Sequence, residues 1–318
     1  MSSRSAGVTL APERPRLDIT DPVAPIPKAA WDPRTVGALA TTLVLWASAF
    51  VGIRAGLAGY TPGQVALLRY LVASAVLAAY CRFRRMRLPE PRDWPLIALA
   101  GAVGFTVYNL ALNAAELRVT AAAASFAGNT APVFSALMAA VLLGERLALA
   151  GWIGISLSLA GVGLIAAGEG TGFRFEPAVL LLLVAPVAQS AYFVLQKPLL
   201  GRYGPLAFTA PALWAGTVFL LPFLPGLAAH LLQVPAAPTL AVVYLGVFPA
   251  AIGYVTWAYV LARLPVTRTA SFLYVIPALT TLIGWVWLGE LPSLLSVAGG
   301  VLAVLGVVVV NARGRAAR

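Results

Sequence analysis

The chain has 318 residues, of which 60% are apolar and only 10% are charged, and its mean hydropathy is +0.89. A soluble domain of this size carries about 25% charged residues, so the composition excludes an ordinary water-soluble fold and predicts an all-α polytopic membrane protein. The net charge of +11 would suit a nucleic-acid surface, but the basic residues are spread among loops between apolar stretches, and no nucleic-acid partner is predicted.

The predicted elements begin with a polar tail at residues 1–35, which holds six prolines and nine charged residues. This composition predicts a disordered cytoplasmic segment. Acidic residues and prolines replace the apolar core of a secretory signal, so no signal peptide is predicted. A second, basic cytoplasmic tail is predicted at residues 312–318. The single cysteine, Cys81, excludes an internal disulfide.

Ten apolar stretches lie between these tails, and each can cross a bilayer core of about 30 Å, which needs about 20 apolar residues per helix. They are predicted at residues 36–56, 63–81, 95–115, 119–143, 149–168, 177–196, 205–226, 239–261, 267–288 and 293–311. No stretch remains for a soluble catalytic domain. The predicted architecture is therefore ten transmembrane helices surrounded by a lipid bilayer.

The distribution of basic residues predicts the orientation of these spans. If the N-terminus is cytoplasmic, 18 of the 22 Lys and Arg residues lie on the cytoplasmic side. Arg54, Arg118 and Arg174 then lie outside, and Arg69 lies within the second span. Because basic residues accumulate in cytoplasmic loops, both termini are predicted to be cytoplasmic in a cell (inner) membrane.

An internal repeat divides the spans into two groups of five. Residues 124–145 and 270–290 both open with Ala-Ser-Phe and close with Leu-Gly-Glu, and two downstream glycines recur at the same 145-residue offset. Five is an odd number, so the second group, 177–311, must enter the membrane from the side opposite to the first group, 36–168. Such an inverted repeat is typical of secondary transporters.

The two Leu-Gly-Glu segments then lie at opposite membrane faces and cannot form one active site. A structural role is predicted for them instead. Gly144 and Gly289 would permit tight turns. Glu145 and Glu290 would each precede a helix, whose N-terminus favours an anionic side chain.

The membrane region, residues 36–311, resembles the drug/metabolite transporter superfamily in its EamA-type branch, which has two five-helix repeats. The resemblance is carried by WASAFVGIRAGL, TPGQVALLRYLVASAVL, NTAPVFSALMAAVLLGE and VIPALTTLIGWVWLGE, the last two each followed by a Gly-rich helix. Within this branch the chain is most similar to the YddG-type amino-acid exporters. The resemblance implies a carrier that moves amino acids, aromatic ones among them, out of the cell.

Polar side chains follow three predicted spans at helical spacing, and a fourth span carries aromatic groups with polar tips. Polar groups inside a bilayer are costly and face a cavity or another helix. The favoured hypothesis is a central cavity for a neutral or zwitterionic solute; the alternative is interhelical hydrogen bonding, worth about 0.6 kcal/mol per bond. The predicted cavity residues are Tyr108, Asn109, Asn113, Ser125, Asn129, Gln189, Tyr192, Gln196, Tyr254 and Trp257.

Arg69 is the most costly residue of the predicted spans, since an arginine near the bilayer centre costs about 2.5–3.5 kcal/mol on insertion scales. It lies roughly 9 Å from the outer end of its helix, and snorkelling toward that end would relieve the cost. The family resemblance implies a structural or gating role for an arginine here. Direct contact with a substrate carboxylate is the alternative.

Two further features are predicted to lie outside the cavity. The fifth and tenth spans are small and apolar all round, which predicts packing through small-residue contacts. The single histidine, His230, is predicted to be solvated in an outer loop.

The acidic residues argue against an ion-coupled carrier, because none is predicted near mid-membrane and only Glu116 approaches a polar stripe. With one His, one Cys and no deep acid pair, the chain offers no metal cluster and no nucleophile–base pair. Neither an enzymatic activity nor a cofactor nor a metal is therefore predicted. The expected partners are a small-molecule substrate and the lipid bilayer, with no obligatory protein partner.

Two alternative functions stay open at this stage. The first is efflux of lipophilic drug-like cations. The second is a channel-like facilitator, although a channel usually has pore-lining rings in a symmetric oligomer. The inverted repeat within one chain favours alternating access instead.

Overall fold

The computed structural model describes residues 31–131, 133–134, 138, 148–169, 178–261, 263–264 and 272–313. Throughout this described part, all regular secondary structure is helical. Gly144 and Glu145, and most of the predicted fourth span beyond residue 131, lie outside the described residues.

Thirteen α-helices and two π-helical segments make up most of the described chain. In chain order they are α1 Pro33–Leu57, α2 Pro62–Phe83, α3 Trp94–Gly101, the first π segment Ala102–Val107, α4 Tyr108–Ala115, α5 Ala121–Gly128, α6 Leu149–Glu169, α7 Ala178–Tyr203, α8 Pro205–Leu220, α9 Leu224–His230, α10 Ala236–Leu245, the second π segment Gly246–Gly253, α11 Tyr254–Leu261, α12 Ile276–Leu288 and α13 Leu294–Arg313.

Several of these elements join end to end into longer rods. Five helices or rods are long and apolar enough to cross a membrane: Pro33–Leu57, Pro62–Phe83, Pro91–Ala115, Pro205–His230 and Ala236–Leu261. Four shorter apolar helices are Leu149–Ile165, Leu181–Gln196, Phe272–Leu288 and Leu294–Val309. Within the described residues, these nine coincide with nine of the predicted spans, and the prediction of an all-helical fold is confirmed there.

Local sequence signals explain where the first helices begin. Asp32 caps α1, since its carboxylate accepts a 2.7 Å hydrogen bond from the Thr35 backbone N–H, and hydrogen bonding to Thr35 lowers the pKa of Asp32. A capping box starts α2, where the side chains of Thr61 and Gln64 each accept a bond from the other's backbone N–H.

The helix of the sixth span extends beyond its apolar part. The apolar part ends at Gln196, as predicted, before Lys197 and Pro198, and α7 continues through Pro198 to Tyr203. A proline inside a helix removes one backbone hydrogen bond without preventing the helix from continuing. The extension brings the last turn of α7 to the start of the rod that contains α3.

The long helices alternate in direction, so the bundle has two ends. We call the end at which α1 ends and α2 begins the Arg54 end. The opposite end, at which α2 ends and the α3 rod begins, is the Asp93 end. The two halves of the chain interpack closely, since α1 contacts α10, α11 and α12.

The α6–α13 pair shows that equivalent helices of the two halves run antiparallel. A Cβ atom on Gly161 would lie 2.5 Å from the Gly299 carbonyl, and one on Gly306 would lie 2.5 Å from the Gly154 carbonyl. The contacts are reciprocal, as across a local two-fold axis. The small-residue packing expected of the fifth and tenth spans is therefore present, and the opposite helix directions fit an inverted repeat.

The two π segments also occupy equivalent positions, since the second begins 144 residues after the first. Isolated π turns within α-helices occur frequently at functional sites. Each packs closely through a glycine. A Cβ on Gly104 would meet the Tyr192 ring at 2.4 Å, and a Cβ on Gly246 would lie 2.6 Å from the Arg69 carbonyl oxygen. The π segments thus bring both halves together at the middle of the bundle.

Candidate functional site

An aromatic cluster lies where the two π segments meet α1, α2 and α7. Phe105, in the first π segment, has its ring centroid 5.2 Å from that of Tyr192 and 5.0 Å from that of Tyr254. Trp46 of α1 continues the cluster, with centroids 5.2 Å from Tyr254 and 5.1 Å from Trp257. Three predicted cavity residues, Tyr192, Tyr254 and Trp257, are therefore joined by aromatic contacts.

A buried polar network borders this cluster. Arg69 is only 3% exposed, and its Nη1 donates a 2.9 Å hydrogen bond to Oδ1 of Asn109. The Asn109 amide in turn donates to the Tyr70 hydroxyl at 2.6 Å and to the Phe105 carbonyl at 2.9 Å. Asn109 therefore holds the Arg69 guanidinium inside the protein, so snorkelling is not what relieves its cost here.

Three donor groups in this region have no acceptor among the described residues. They are Nε of Arg69 and the indole N–H groups of Trp46 and Trp257. Buried donors are nearly always paired in folded proteins. Donors without a protein partner, next to an aromatic wall, are the groups expected to orient a bound solute.

The other predicted cavity residues lie elsewhere or bond locally. Ser125 donates to the Ala122 carbonyl at 2.7 Å, and Asn129 donates to the Ser125 carbonyl at 2.9 Å, both within one helical turn. The remaining residues are spread over two helices. Tyr108 is partly exposed on α4, Asn113 is buried on α4 and donates to the Pro62 carbonyl at 3.0 Å, and Gln189 and Gln196 are buried on α7.

Each end of the bundle carries an ion pair that links the two halves. At the Arg54 end, Nε of Arg54 lies 3.1 Å from Oε1 of Glu290, and Nη1 donates to the backbone carbonyl of Glu116. At the Asp93 end, Nη1 of Arg202 lies 2.6 Å from Oδ2 of Asp93, and this bond raises the pKa of Arg202. Each ion pair ties one half of the chain to the other.

The turn before α13 positions the first of these ion pairs. Gly289 has φ of 68° and ψ of 12°, the left-handed conformation that glycine adopts without strain. It ends α12 and directs Glu290 back toward Arg54. The ion pair between α1 and this turn has no signal in the sequence.

Two surface cavities lie at the ends of the bundle. One of 330 Å³ at the Arg54 end is lined by residues that include Arg54, Leu117, Leu288 and Glu290. The other, of 590 Å³, lies at the Asp93 end of α2 beside Cys81. Neither is lined by a predicted cavity residue, so the aromatic cluster is closed from both.

His230 corrects a further expectation. It ends α9, and its Nδ1 lies 3.3 Å from Oε1 of Gln64 in the capping box of α2. It is therefore a packing contact between α9 and α2 rather than a solvated loop residue.

Comparison with known proteins identifies the family. The EamA-like transporter family matches residues 34–167 and again residues 176–312. The chain belongs to the EamA-like transporter family. It is therefore a multi-pass membrane protein of the drug/metabolite transporter superfamily, and the two matches fit a two-repeat form.

Two relatives and one solved structure are similar to this EamA-like chain over most of its length. A probable terminal-alkyne amino-acid exporter of Streptantibioticus cattleyicolor is 43% identical over 88% of this chain and 94% of that protein. An uncharacterized transporter of Bacillus subtilis is 43% identical over 83% of this chain and 86% of that protein. A crystal structure with 25% identity has a TM-score of 0.60, covering 86% of this chain and 95% of that chain.

The predicted cavity residues yield a first prediction. Asn109→Ala, Gln189→Ala and Trp257→Ala are each expected to weaken substrate binding by about 1–3 kcal/mol, or roughly tenfold to hundredfold, because a polar partner is left unpaired. Transport by each variant is measured over a substrate concentration series and normalised for protein in the membrane. If all three variants keep the parent's affinity and substrate ranking, these residues only pack helices.

Proposed function

We propose that this EamA-like chain exports small α-amino acids by alternating access. The observation that carries the proposal is Arg69, a buried cation whose Nε has no protein acceptor in the described chain and which borders the aromatic cluster. A buried guanidinium costs several kcal/mol unless it is paired. A substrate carboxylate would supply the missing partner, and guanidinium is well suited to bind carboxylate.

The aromatic cluster supports a substrate with an apolar or unsaturated side chain. Rings bind flat or π-rich groups through their faces and edges, and the unpaired indole donors of Trp46 and Trp257 give the wall some polarity. The name of the S. cattleyicolor relative, at 43% identity, fits this class. Terminal-alkyne and short aliphatic amino acids are therefore the first substrates to test.

The proposed mechanism uses the two ion pairs as alternating closures. Opening the Asp93 end would require Arg202 to leave Asp93, and opening the Arg54 end would require Arg54 to leave Glu290. Each pair joins one half of the chain to the other, so separation of a pair accompanies movement of one repeat against the other.

Orientation gives a second prediction. We expect both termini and Glu145 to be cytoplasmic and Glu290 to be outside, because basic residues concentrate at the Asp93 end. Single cysteines introduced at 145 and 290 in a Cys81-free variant are labelled in intact cells with a membrane-impermeant reagent. Labelling of both positions from the same side would contradict the inverted repeat.

Coupling gives a third prediction. We expect transport to need no imposed proton or sodium gradient, since the described spans carry no carboxylate at mid-membrane. Proteoliposomes loaded with substrate should release it down its own gradient when the ion composition is identical on both sides. Strict dependence on an imposed ion gradient would contradict this, and Glu116 would be the first residue to examine.

The proposal is tested by accumulation in cells that overexpress the protein, screened over all amino acids, terminal-alkyne amino acids and a few toxic lipophilic cations. We expect lower intracellular levels and higher resistance for a subset of the amino acids. Resistance confined to the cations would favour the alternative function of cation efflux.

A further inference from the structure

Glu116 is the most deeply buried acidic side chain of the described chain, and its carboxylate has no hydrogen-bond partner there. It follows α4 directly, is 0% exposed, and neither carboxylate oxygen makes a hydrogen bond to any described residue. An unpaired buried carboxylate is among the most costly groups a protein can hold. A ligand that supplies hydrogen-bond donors and positive charge would remove this cost.

Asn113 places a third unpaired acceptor beside it. The Asn113 amide nitrogen donates to the Pro62 carbonyl at 3.0 Å, and because that carbonyl can only accept, the amide oxygen must point the other way. Oδ1 of Asn113 is buried and accepts no hydrogen bond from the described residues. Asn113 and Glu116 are three positions apart, so they share one face of the helix.

With Glu116 in its ionised form, the two residues present three acceptor atoms and no free donor. A primary ammonium group has three N–H donors and no acceptor. A water molecule or a hydroxyl would satisfy fewer of these acceptors and leave the carboxylate charge uncompensated. A protonated primary amine therefore matches these two residues both in the number of hydrogen bonds and in the sign of its charge.

We infer that Asn113 and Glu116 form a subsite for the ammonium group of the transported solute. This subsite would add detail to the proposed amino-acid export, and the choice of an amino acid as its substrate rests on that proposed function. The subsite itself requires only a protonated primary amine. A zwitterionic amino acid and a simple lipophilic amine both supply that group, and the experiment separates them.

Glu116 has basic neighbours but no direct ion pair with them in the described chain. Arg54 directs one guanidinium nitrogen to the backbone carbonyl of Glu116 and another to the Glu290 carboxylate, 3.1 Å away. No ion pair joins the Glu116 side chain to a basic residue among those the structure describes. Arg54 thus lies over the subsite at the 330 Å³ cavity, on the path by which a solute would leave through the Arg54 end.

The position of Glu116 relative to Arg69 suits a substrate the size of an amino acid. Arg69 binds Asn109, and Glu116 follows Asn109 by seven residues on the same helix face, a rise of about 10 Å along the helix. A hydrogen bond of about 3 Å at each end leaves room for one ammonium–carboxylate pair between them. The amino-acid carboxylate would then face Nε of Arg69 and its ammonium group would face Glu116.

The test uses the purified full-length protein in proteoliposomes and three matched probes: propargylglycine, the acid that lacks its amine, and the amine that lacks its carboxylate. The apparent affinity for each probe is measured for the wild type, Glu116→Gln and the control Glu90→Gln. Glu90 is an exposed carboxylate paired with Arg92 at 2.8 Å, outside the subsite. Glutamine keeps the shape of glutamate and removes its charge.

We expect the wild type and Glu90→Gln to prefer propargylglycine over its deaminated acid by at least about tenfold, the lower bound for a charged hydrogen bond. Glu116→Gln should lose that preference through weaker binding of both amine-bearing probes, with no loss for the deaminated acid. The preference is the ratio of the apparent affinities for two probes, measured on the same preparation. It therefore does not depend on how much of a variant folds.

The outcomes separate this inference from the proposed function. An unchanged preference in Glu116→Gln overturns the subsite and leaves amino-acid export standing. Glu116-dependent binding of the amine without binding of propargylglycine supports the subsite and overturns amino-acid export. If Glu116→Gln cannot be purified, equal wild-type affinity for propargylglycine and its deaminated acid still overturns the subsite.

Discussion

Replacement of Arg69 by glutamine is expected to abolish measurable transport, with a loss of about a hundredfold or more in apparent affinity. Removal of one member of a buried charge-paired contact costs about 2–5 kcal/mol, and each 1.4 kcal/mol corresponds to about tenfold. The same change leaves Oδ1 of Asn109 without the 2.9 Å hydrogen bond from Arg69. The measurement is the initial rate of substrate uptake into proteoliposomes over a concentration series.

Two further variants make this result specific. Arg69→Lys keeps the charge but lacks the planar fork and Nε, so we expect it to recover only part of the affinity. Arg84→Gln removes an exposed arginine just beyond α2 and should behave like the parent. Parental affinity in a folded Arg69→Gln variant would show that the guanidinium does not contact the substrate.

Gly161→Val is expected to remove most of the folded protein from the membrane. A Cβ at this position would lie 2.5 Å from both the Ala303 backbone nitrogen and the Gly299 carbonyl oxygen, and backbone atoms cannot move aside as a side chain can. Overpacking commonly costs about 1–3 kcal/mol, and a clash with the backbone of a facing helix exceeds that range. The α6–α13 pair would separate, and with it the contact between the last helices of the two halves.

The same helix supplies a matched control. A Cβ on Gly163, two residues away, would have no heavy atom within 4 Å, so Gly163→Val should be tolerated. The yield of monodisperse protein and its thermal unfolding midpoint are compared for the two variants by size-exclusion chromatography. Equal yields and midpoints would contradict the close packing of α6 on α13.

Hydropathy is sufficient to predict most of the membrane helices, because a bilayer imposes apolar length on every span. It gives the end of the apolar part of α7 but not the end of the helix, because α7 continues past Lys197 and Pro198. The glycine spacing indicates an inverted repeat because close helix contacts need small residues at fixed positions.

The candidate site can be predicted only in part. Polar residues in apolar spans are conspicuous, so the sequence identifies Asn109 and Arg69. It does not identify Trp46, Tyr70 and Phe105, because an aromatic ring that lines a site is indistinguishable in sequence from one that faces lipid.

Contacts between residues that are far apart in the sequence account for other features that the sequence does not predict. Arg54 and Glu290 are 236 residues apart, and only the packing of α1 against α12 brings them together. The burial of Glu116 likewise depends on neighbours from other helices, whereas its position after α4 suggests a residue near the membrane surface. The π segments have no sequence signature, since they arise from local hydrogen-bond shifts within otherwise regular helices.

Counterflow tests the central claim, alternating-access transport of α-amino acids, most directly. Proteoliposomes are preloaded with unlabelled propargylglycine and diluted into a trace of the labelled compound, with identical salts and pH on both sides. An alternating-access carrier exchanges internal for external substrate, so the account predicts a transient accumulation of label above its equilibrium level, which empty control liposomes lack. Label that rises only to equilibrium, at a rate that does not saturate with substrate, would contradict it and would indicate a channel.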